Sequence, residues 1–298
     1  MAVRLSALPP TPPDAHVHCL NFKLPYDLAT DADLWKLTRQ ILGQDYVSAV
    51  KKEYGGRRNF QSFYTIRNIE NDVLLTIYTH GTGIDKNKTA VCFNGLSFET
   101  WSALNPLPPI QIDKLAQFVF DQHGWFTRID LAKNDYRRVT DWQDAVTASH
   151  KTAYRDRLVL RLCRTRPPLY MSSNSESIYY GSNKSRTQIL AYVKHDAELT
   201  KFPWIRFEMI LRGRHQCDDA VRKILAGTDI DTLTSGVLAY HLDFKIQSST
   251  TKAFRPSCKW WTDFVGTEKI KLITAAEKPG STDQPEEDAD DDFTGIEF

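Results

Sequence analysis

The sequence predicts an α+β protein in which an antiparallel sheet carries helices on one face. Two observations predict this class. Segments with alternating apolar residues form a hairpin-like block in the first third of the chain, where turns rich in Asn, Gly and Lys separate them. Segments with apolar residues at helical spacing then recur between further strands. At 298 residues with 41% hydrophobic content, the chain can bury one large core or two modest ones.

The first predicted elements follow a Pro-rich stretch, residues 1–13, for which we expect an irregular conformation. The segment "DAHVHCLNFKLP" alternates like a strand. The next segment, "DADLWKLTRQILG", has an Asp cap, apolar residues at helical spacing and a Gly stop, as in a helix. The hairpin-like block then comprises three predicted strands, "QSFYTIRN", "DVLLTIYTHG" and "TAVCFNG".

The rest of the chain alternates between the two kinds of element. A helix over "IQIDKLAQFVFDQHG" precedes the strand "FTRIDLAKND" and a short helix around "DWQDAVTASHKTAY". Four predicted strands follow, "RLVLRLCR", "SIYYGS", "TQILAYVKH" and "WIRFEMILR". Helices are expected again near residues 217–226 and 230–241.

Composition excludes several classes of protein. No run of about 18 apolar residues is present, so no membrane-spanning helix is predicted. The N-terminal "MAVRLSALPPTPPDAHVH" has only a short apolar patch broken by prolines, too short for a secretory signal. The five cysteines are scattered without a CxxC pair, which indicates reduced thiols rather than disulfides or a zinc site. We therefore expect a cytoplasmic protein that contacts no membrane.

Charge is distributed unevenly along the chain. The segment "STDQPEEDADDDFTGIEF", residues 281–298, holds eight carboxylates and no Lys or Arg. Without those eight, 29 of the 37 acidic residues remain against 38 basic ones, so the body carries about +9 and the tail about −8. A basic body is a candidate for binding polyphosphate.

Three predicted strands carry charged or phenolic side chains two residues apart. Residues i and i+2 share a face of a strand. The pairs are Arg128 with Asp130, Tyr192 with Lys194, and Arg206 with Glu208. If these strands are neighbours, two carboxylates, a phenol and an ammonium converge on one face. Such a set is suited to holding a divalent cation beside a phosphodiester.

Tyr192 is the candidate nucleophile of this set. The pKa of a free phenol is near 10, so a nucleophilic tyrosine needs help at neutral pH. Lys194, two residues further on, could supply that help electrostatically. Two alternatives stay open: the Arg-x-Asp and Arg-x-Glu pairs are solvated cross-strand ion pairs, and Tyr192 only packs with a wet hydroxyl.

The order of motifs on these strands resembles that of a known family. The stretches "FTRIDLAKND", "YYGSNKSRTQILAYVK" and "WIRFEMILR" contain R-x-D-x-A, Y-x-G-S-x-x-S, Y-x-K and R-x-E in that order. This set is similar to the replication initiation factor family. The family comprises rolling-circle initiators of plasmids and filamentous phages, together with related relaxases of conjugative elements.

The resemblance implies a metal-dependent enzyme that nicks and rejoins one DNA strand. Tyr192 would attack a phosphodiester at a plasmid or phage origin, assisted by Lys194, leaving a free 3′-hydroxyl and a 5′-phosphotyrosyl link. Asp130 and Glu208 match the family's metal-binding positions, with Mg²⁺ or Mn²⁺ as the implied ion. Asp135 is a candidate third ligand.

Three positions depart from the family pattern. Leu190 stands where an arginine usually precedes the nucleophile by two residues. Asn183, followed by Lys184, replaces the arginine often found after Gly-Ser. Asn134 takes the place of an acidic residue, which Asp135 follows. The DNA contacts expected within the motifs come from Arg128, Arg206, Lys184 and Tyr179.

Two further segments carry site hypotheses. In "KAFRPSCKWWTDFVG", indoles flanked by cations would suit single-stranded or melted DNA. The alternative is that the tryptophans close a small core over the sheet. The candidate DNA contacts there are Lys252, Arg255, Lys259, Trp260 and Trp261. Near the N-terminus, "HVH" resembles the metal motif of another class of nicking enzymes, which would place a metal on His16 and His18.

The acidic tail ends in "TGIEF" and resembles the tip of bacterial single-stranded-DNA-binding proteins. Our hypothesis is that Ile296 and Phe298 insert into a basic-rimmed pocket of a host replication protein. The alternative is a solvated, disordered tail that tempers nonspecific DNA binding.

The resemblance also implies a domain plan and partners. We expect a nicking-joining domain over residues 14–215, a helical DNA-recognition region over 216–277 and a disordered acidic tail over 278–298. The expected partners are origin DNA, single-stranded or as a cruciform or melted duplex, host helicase and replication proteins, and a second copy in a homodimer. The alternatives are a conjugative relaxase with the same chemistry and a non-catalytic DNA-binding regulator of the same fold.

Overall fold

The computed structural model describes residues 14–42, 48–53, 59–67, 71, 73–93, 95, 112–136, 178–194, 204–245 and 255–274 of the chain. The strands are β1 (Ala15–Leu24), β2 (Ser48–Glu53), β3 (Phe60–Arg67), β4 (Val73–Gly81), β5 (Thr89–Phe93), β6 (Trp125–Asp135), β7 (Ile178–Tyr180), β8 (Thr187–Lys194) and β9 (Trp204–Arg212). The helices that matter below are α1 (Asp31–Leu42), α2 (Ile112–Asp121), α3 (Arg214–Leu225), α4 (Ile230–His241) and α5 (Lys259–Val265). None of the helices in these ranges is long and apolar enough to cross a membrane.

The chain divides into two compact units whose segments alternate along the sequence. The N-unit comprises residues 17–130, 211–228 and 272–298. The C-unit comprises residues 1–16, 131–210 and 229–271. Strands β1, β6 and β9 therefore contribute residues to both units.

The N-unit contains a sheet with the strand order β2-β3-β4-β5-β1-β6. Its hairpins run antiparallel, as does the pairing of β1 with β5. Helix α1 buries Leu34, Leu37 and Ile41, whose spacing places them on one face of the helix. In the core, the rings of Phe22 and Phe126 meet edge to face with centroids 5.9 Å apart.

The C-unit contains the strand order β6-β9-β8-β7, with β7 and β8 paired antiparallel. All nine residues of β9 are buried, including its charged ones. Helix α4 is capped at its N-terminus by Asp229, whose carboxylate accepts hydrogen bonds from the backbone N–H groups of Asp231 and Thr232. Strand β9 lies between β6 and β8 and is buried along its whole length, so its polar side chains need partners within the protein.

The predicted α+β class with an antiparallel sheet and helices is confirmed. The predicted strands and helices that fall in the described ranges are present, although the helix expected near residues 217–226 begins three residues earlier, at Arg214. Strand β2 was not predicted because half of its six residues, "SAVKKE", are charged. Helix α5 was not predicted either, because its segment was interpreted as a DNA-binding surface or a small core without an assigned helix.

Several predictions concern parts of the chain outside the described residues. They are the irregular segment 1–13, the helix around 141–154, the strand at 157–164 and the disordered tail at 278–298. The domain boundary expected after residue 215 stays a prediction.

Candidate functional site

Tyr192 lies near the end of β8, in the C-unit. Strand β8 is held in register by β7, with Ala191 opposite Ile178 and Ile189 opposite Tyr180. On the other side, β8 neighbours β9. The half-buried Tyr192 hydroxyl donates a hydrogen bond of 2.5 Å to Oε1 of Glu208 on β9. The two strands that the motifs singled out thus bring the phenol and a carboxylate into direct contact.

Arg206, two residues before Glu208 on β9, is the cation of this site. Its Nη1 lies 3.8 Å from Glu208 Oε1, so the charges attract without a direct hydrogen bond between these two atoms. Its Nε donates to Asn134 Oδ1 at 2.8 Å. The same oxygen accepts a hydrogen bond of 2.9 Å from Trp204 Nε1. We call Asn134, Tyr192, Trp204, Arg206 and Glu208 the tyrosine cluster.

Two strands position the members of this cluster. On β9, Trp204, Arg206 and Glu208 alternate along the strand and so share one face. The amide of Asn134, near the end of β6, contacts the first two of them. Because Asn134 is only 3% exposed, its amide oxygen is an internal acceptor that holds the Arg206 side chain in place.

The electrostatics of the cluster keep Tyr192 protonated at neutral pH. Burial raises the pKa of Tyr192 well above its ordinary value, and the Glu208 charge raises it further. Arg206 lowers that pKa, but by less than the two raising effects together. Arg206 is thus a cation that lowers the pKa of Tyr192, and assistance from Lys194 stays a prediction.

A second phenol, Tyr136, adjoins the cluster. Its ring centroid lies 5.7 Å from that of Trp204. Burial raises the pKa of Tyr136 to about 12, while Arg206 lowers it and Asp14 raises it. A hydrogen bond with the Asn134 side chain also lowers it. Arg206 therefore influences two phenols, and both are protonated at neutral pH.

The cluster can carry out proton transfer to and from Tyr192. A carboxylate that accepts a phenol's hydrogen bond can take its proton, provided the phenol oxygen is forming a bond at the same moment. Arg206 then faces a developing negative charge in a nearly water-free place, where such stabilisation is strong. This arrangement suits a tyrosine nucleophile with Glu208 as its base.

The other predicted pair, Arg128 with Asp130, lies in the N-unit. It is closed, in the sense that the arginine donates to both oxygens of its own carboxylate partner. Arg128 donates from Nε to Asp130 Oδ1 at 2.8 Å and from Nη2 to Oδ2 at 2.6 Å. The Asp130 side chain is 3% exposed, and that of Arg128 is 17% exposed. The sequence alternative of a solvated ion pair is wrong for this pair, because Asp130 is buried.

The remaining tyrosines and lysines of the β7–β8 hairpin differ in exposure. Lys184 is exposed in the turn, and Tyr179 and Lys194 are half-buried. Tyr180 is 2% exposed and its ring packs edge to face against Phe244, at 6.1 Å between centroids. Tyr180 is therefore a core residue. The predicted DNA contacts of Tyr179 and Lys184 stay predictions.

The predicted DNA contact of Arg206 needs correction in this arrangement. Its side chain is 2% exposed and its Nε is bonded to Asn134. A DNA phosphate could not reach it without moving β9 residues, so its contacts are with Glu208, Tyr192 and Asn134.

The C-terminal aromatic segment is divided between core and surface. Trp261 is 1% exposed, donates to the backbone oxygen of Leu242 at 3.1 Å and packs against Phe207 and Phe244. The predicted DNA contact of Trp261 is therefore wrong, and the alternative of a small core holds for it.

The neighbours of Trp261 differ in exposure. Arg255 is also buried, at 8% exposure, whereas Trp260 is half-buried. Lys259 is exposed and pairs with Asp263 at 2.7 Å. The predicted positions Lys252, Ile296 and Phe298 lie outside the described residues.

The donor set does not fit a metal centre as it is arranged. Within the described ranges, no three His, Cys, Asp or Glu side chains are placed to hold a metal ion together. Oε1 of Glu208 accepts a hydrogen bond from the Tyr192 hydroxyl, and both oxygens of Asp130 accept hydrogen bonds from Arg128. Asp135 is 2% exposed, in the C-unit. In the same described part of the chain, His16 and His18 belong to no such group either.

Sequence reasoning missed Asn134 as a functional residue, treating it as a departure from a family pattern. Trp204 and Tyr136 were not singled out at all. Trp204 could have been found from strand alternation, because it is two residues before Arg206 and therefore lies on the same face of the strand as Arg206. What could not be predicted was the partner of these side chains on another strand.

Comparisons with known proteins bear on the family and the fold. A family model described as replication initiation factor matches residues 124–284. The solved structure of a rolling circle replication initiator protein from Geobacillus stearothermophilus is similar in fold, with a TM-score of 0.65. The two sequences are 16% identical, and the match covers 86% of this chain and 99% of that chain. Among curated proteins, none matches.

Proposed function

We propose that the chain, which belongs to the replication initiation factor family, starts rolling-circle replication by cutting one DNA strand at an origin through Tyr192 and later rejoining it. The family expected from the strand motifs is confirmed by the match over residues 124–284. The chemistry and the rolling-circle mode are the proposed part. The observation that carries the proposal is the hydrogen bond from the Tyr192 hydroxyl to Glu208.

The proposed reaction is a transesterification that needs no water. Oη of Tyr192 forms a bond to phosphorus as its proton passes to Glu208 Oε1, and the bond from phosphorus to the 3′-oxygen breaks. Glu208 then returns the proton to that 3′-oxygen. The products are a free 3′-hydroxyl and a 5′-phosphotyrosyl ester, and attack by a 3′-hydroxyl reverses the reaction to rejoin the strand.

Arg206 and Asn134 support this reaction without touching DNA. As the Tyr192 proton leaves, negative charge spreads over the phenol oxygen and the phosphate, and the buried Arg206 offsets it. Asn134 is a positioning residue, because its neutral oxygen holds Arg206 Nε without neutralising the cation. A carboxylate at this place would leave the cluster with one more negative charge.

A divalent cation has no step in this proposal. Mg²⁺ or Mn²⁺ on Asp130, Glu208 and Asp135 stays a prediction from the family resemblance, since the described carboxylates are occupied by other partners. Binding of origin DNA follows from the proposed function. Helicase contacts, a homodimer and docking through Ile296 and Phe298 stay predictions.

The test is formation of a covalent adduct with DNA. A fluorescent single-stranded oligonucleotide from the replicon's own origin is incubated with the full chain, with and without magnesium or manganese. We expect an adduct that persists in detergent and is lost in Tyr192→Phe but kept in Tyr179→Phe, the matched control from the same hairpin. Requirement for the added ion is read from the same gel.

Two results would contradict the proposal. An adduct that survives in Tyr192→Phe moves the nucleophile to another residue. No adduct in the wild-type chain, while the oligonucleotide is bound, would favour the non-catalytic regulator.

A further inference from the structure

We propose that the N-unit carries a separate surface that binds the phosphate backbone of duplex DNA through cations stacked on aromatic rings. The surface consists of Lys88, Phe120, Trp125, Arg214 and Arg222, and we call it the aromatic–cation patch. That its ligand is DNA rests on the proposed function. No residue of the patch belongs to the strand motifs or to the tyrosine cluster.

Two cations from different elements converge on one indole. The Lys88 Nζ atom lies 5.4 Å from the centroid of the Trp125 ring, and the Arg214 Cζ atom lies 5.0 Å from it. Lys88 comes just before β5, and Arg214 opens helix α3. Stacking on the ring restricts both side chains, so less conformational entropy is lost when they bind an anion.

Helix α3 extends the patch along its axis. Arg222 lies over the ring of Phe120, with 4.1 Å between Cζ and the centroid. Residues four apart share a helix face, so Arg214, Asp218 and Arg222 line up. The eight-residue separation of the two arginines corresponds to a rise of roughly 12 Å. That rise is comparable with three to four base pairs at about 3.4 Å each.

Two carboxylates near the patch, Asp218 and Asp85, each have a partner outside it as well. Asp218 Oδ1 accepts from the backbone N–H of Phe126 at 2.8 Å, and its Oδ2 lies 3.6 Å from Arg214 Nε. Asp85 is 3.0 Å from Lys23 but 4.0 Å from Lys88, and its side chain is only 4% exposed.

The cations are more exposed than these acids, and Lys88 Nζ also donates a hydrogen bond to the backbone oxygen of Ile84. The side chain of Arg214 is 50% exposed and that of Lys88 is 30% exposed. Arg222 is also exposed. The patch therefore presents positive charge and guanidinium donors to water, and its nearest acids, Asp218 and Asp85, are less exposed than the cations beside them.

Duplex DNA is the ligand that this chemistry fits. Guanidinium groups match the spacing of phosphate oxygens, and contacts to phosphate orient a protein on DNA without reading its sequence. The tyrosine cluster has a buried arginine and cannot supply such contacts. The aromatic–cation patch would therefore add affinity for duplex of any sequence.

The test measures duplex binding in a Tyr192→Phe background, which cannot cut. A short fluorescent duplex of arbitrary sequence is titrated with the full chain over a series of salt concentrations. For the double variant K88Q/R214Q we expect an affinity loss of about tenfold or more and a salt slope reduced by about 1.8, since each phosphate contact contributes about 0.9. The matched control is K36Q/R39Q, which removes the same charge from exposed positions on α1 of the same unit.

Several results would overturn the inference. They are an unchanged salt slope in K88Q/R214Q, an equal change in the control, or competition by polyglutamate as strong as that by DNA of equal charge. With Tyr192 restored, K88Q/R214Q should still form the single-stranded adduct, and loss of that adduct would also overturn a separate surface.

The patch and the proposed function can fail independently. A wild-type chain that binds duplex through the patch but forms no adduct would remove the proposed chemistry and leave the patch. If K88Q/R214Q formed the adduct at the wild-type rate and bound duplex DNA as tightly as the Tyr192→Phe parent, the patch would be removed and the proposed chemistry would remain.

Discussion

Two Arg-x-carboxylate pairs, alike in sequence, have different partners in the two units. In the N-unit, Arg128 donates to both oxygens of Asp130 at 2.8 and 2.6 Å. In the C-unit, Arg206 Nη1 is 3.8 Å from Glu208 Oε1, and Arg206 Nε donates to Asn134. The first pair is closed, whereas the second leaves Glu208 Oε1 available to the Tyr192 hydroxyl.

The difference teaches that an acceptor on another strand decides what such a pair can do. A closed bidentate pair satisfies its own charges and its carboxylate has little capacity left for a base's role. An arginine whose Nε is held by a neutral amide need not bind both carboxylate oxygens, so the carboxylate can accept a hydrogen bond from another group. The following predictions break or sharpen this contrast, from the largest expected effect to the smallest.

The largest effect is expected from removing the base. Glu208→Gln keeps the shape of the side chain but cannot take the Tyr192 proton, so the rate of adduct formation should fall by about 10²- to 10⁴-fold. Asp130→Asn is the matched change in the closed pair, and its effect should be much smaller. Single-turnover rates with the origin oligonucleotide measure both.

An equal fall in the adduct-formation rates of Glu208→Gln and Asp130→Asn would contradict the proposed difference between the two pairs. If exchanging Mg²⁺ for Mn²⁺ then changed the rates of both variants, the two carboxylates would be acting together, as the metal-binding prediction from the sequence requires.

A smaller effect is expected from removing the amide that keeps the second pair open. In Asn134→Ala, two buried donors lose their acceptor, which should lower the free energy of unfolding by about 1–3 kcal/mol. Arg206 could then close onto Glu208, so adduct formation should slow as well. Denaturant titration and adduct rates measure the two effects, with the exposed Asn183→Ala as the control.

The conservative variant separates positioning from stability. Asn134→Asp restores an acceptor for Trp204 and Arg206, so the stability should recover while the rate stays low, because the added charge competes for Arg206. A wild-type rate in both Asn134 variants would mean that the amide has no positioning role.

The smallest effect concerns stability at alkaline pH. The pKa of Tyr192 is raised in the folded state, so above about pH 10 the unfolded chain loses this proton first and stability falls as pH rises. Removing the group in Tyr192→Phe should lessen that fall by about 1 kcal/mol per pH unit. Tyr136, with its pKa raised to about 12, contributes in the same direction.

Denaturant titrations between pH 9 and about pH 11 would measure the slope. Tyr179→Phe removes a hydroxyl from the same hairpin and is the control. Identical slopes in wild type and Tyr192→Phe would show that the phenol is not held protonated.

Much of the fold was predictable because its signals are local. Alternation in β8 and β9 and helical spacing in α1 and α4 are properties of a few consecutive residues. The segment of β2 has no such alternation, so pairing with β3 alone reveals it. Trp261 could be interpreted as base-stacking or as core from its flanking cations, and only its neighbours Phe207 and Phe244 decide between them.

The site was predictable to the same extent. Strand alternation put Tyr192, Arg206 and Glu208 on the right elements, and the motif order indicated the family. Their roles were not predictable in detail. Lys194 was expected to help the phenol and Arg206 to bind DNA, whereas the structure has Arg206 buried beside Glu208 and Tyr192.

The sequence by itself determined the α+β class, most of the strands and helices, and the family, and it led to the proposal of Tyr192 rather than Tyr179 or Tyr180 as the nucleophile. Each of these depends on residues close together in the chain or on the order of motifs. Only the tertiary structure decided which carboxylate meets the phenol and why one arginine pair is open and the other closed. Hydrogen-bond partners and burial depend on side chains from other strands, here Asn134 and Glu208, and no local pattern records them.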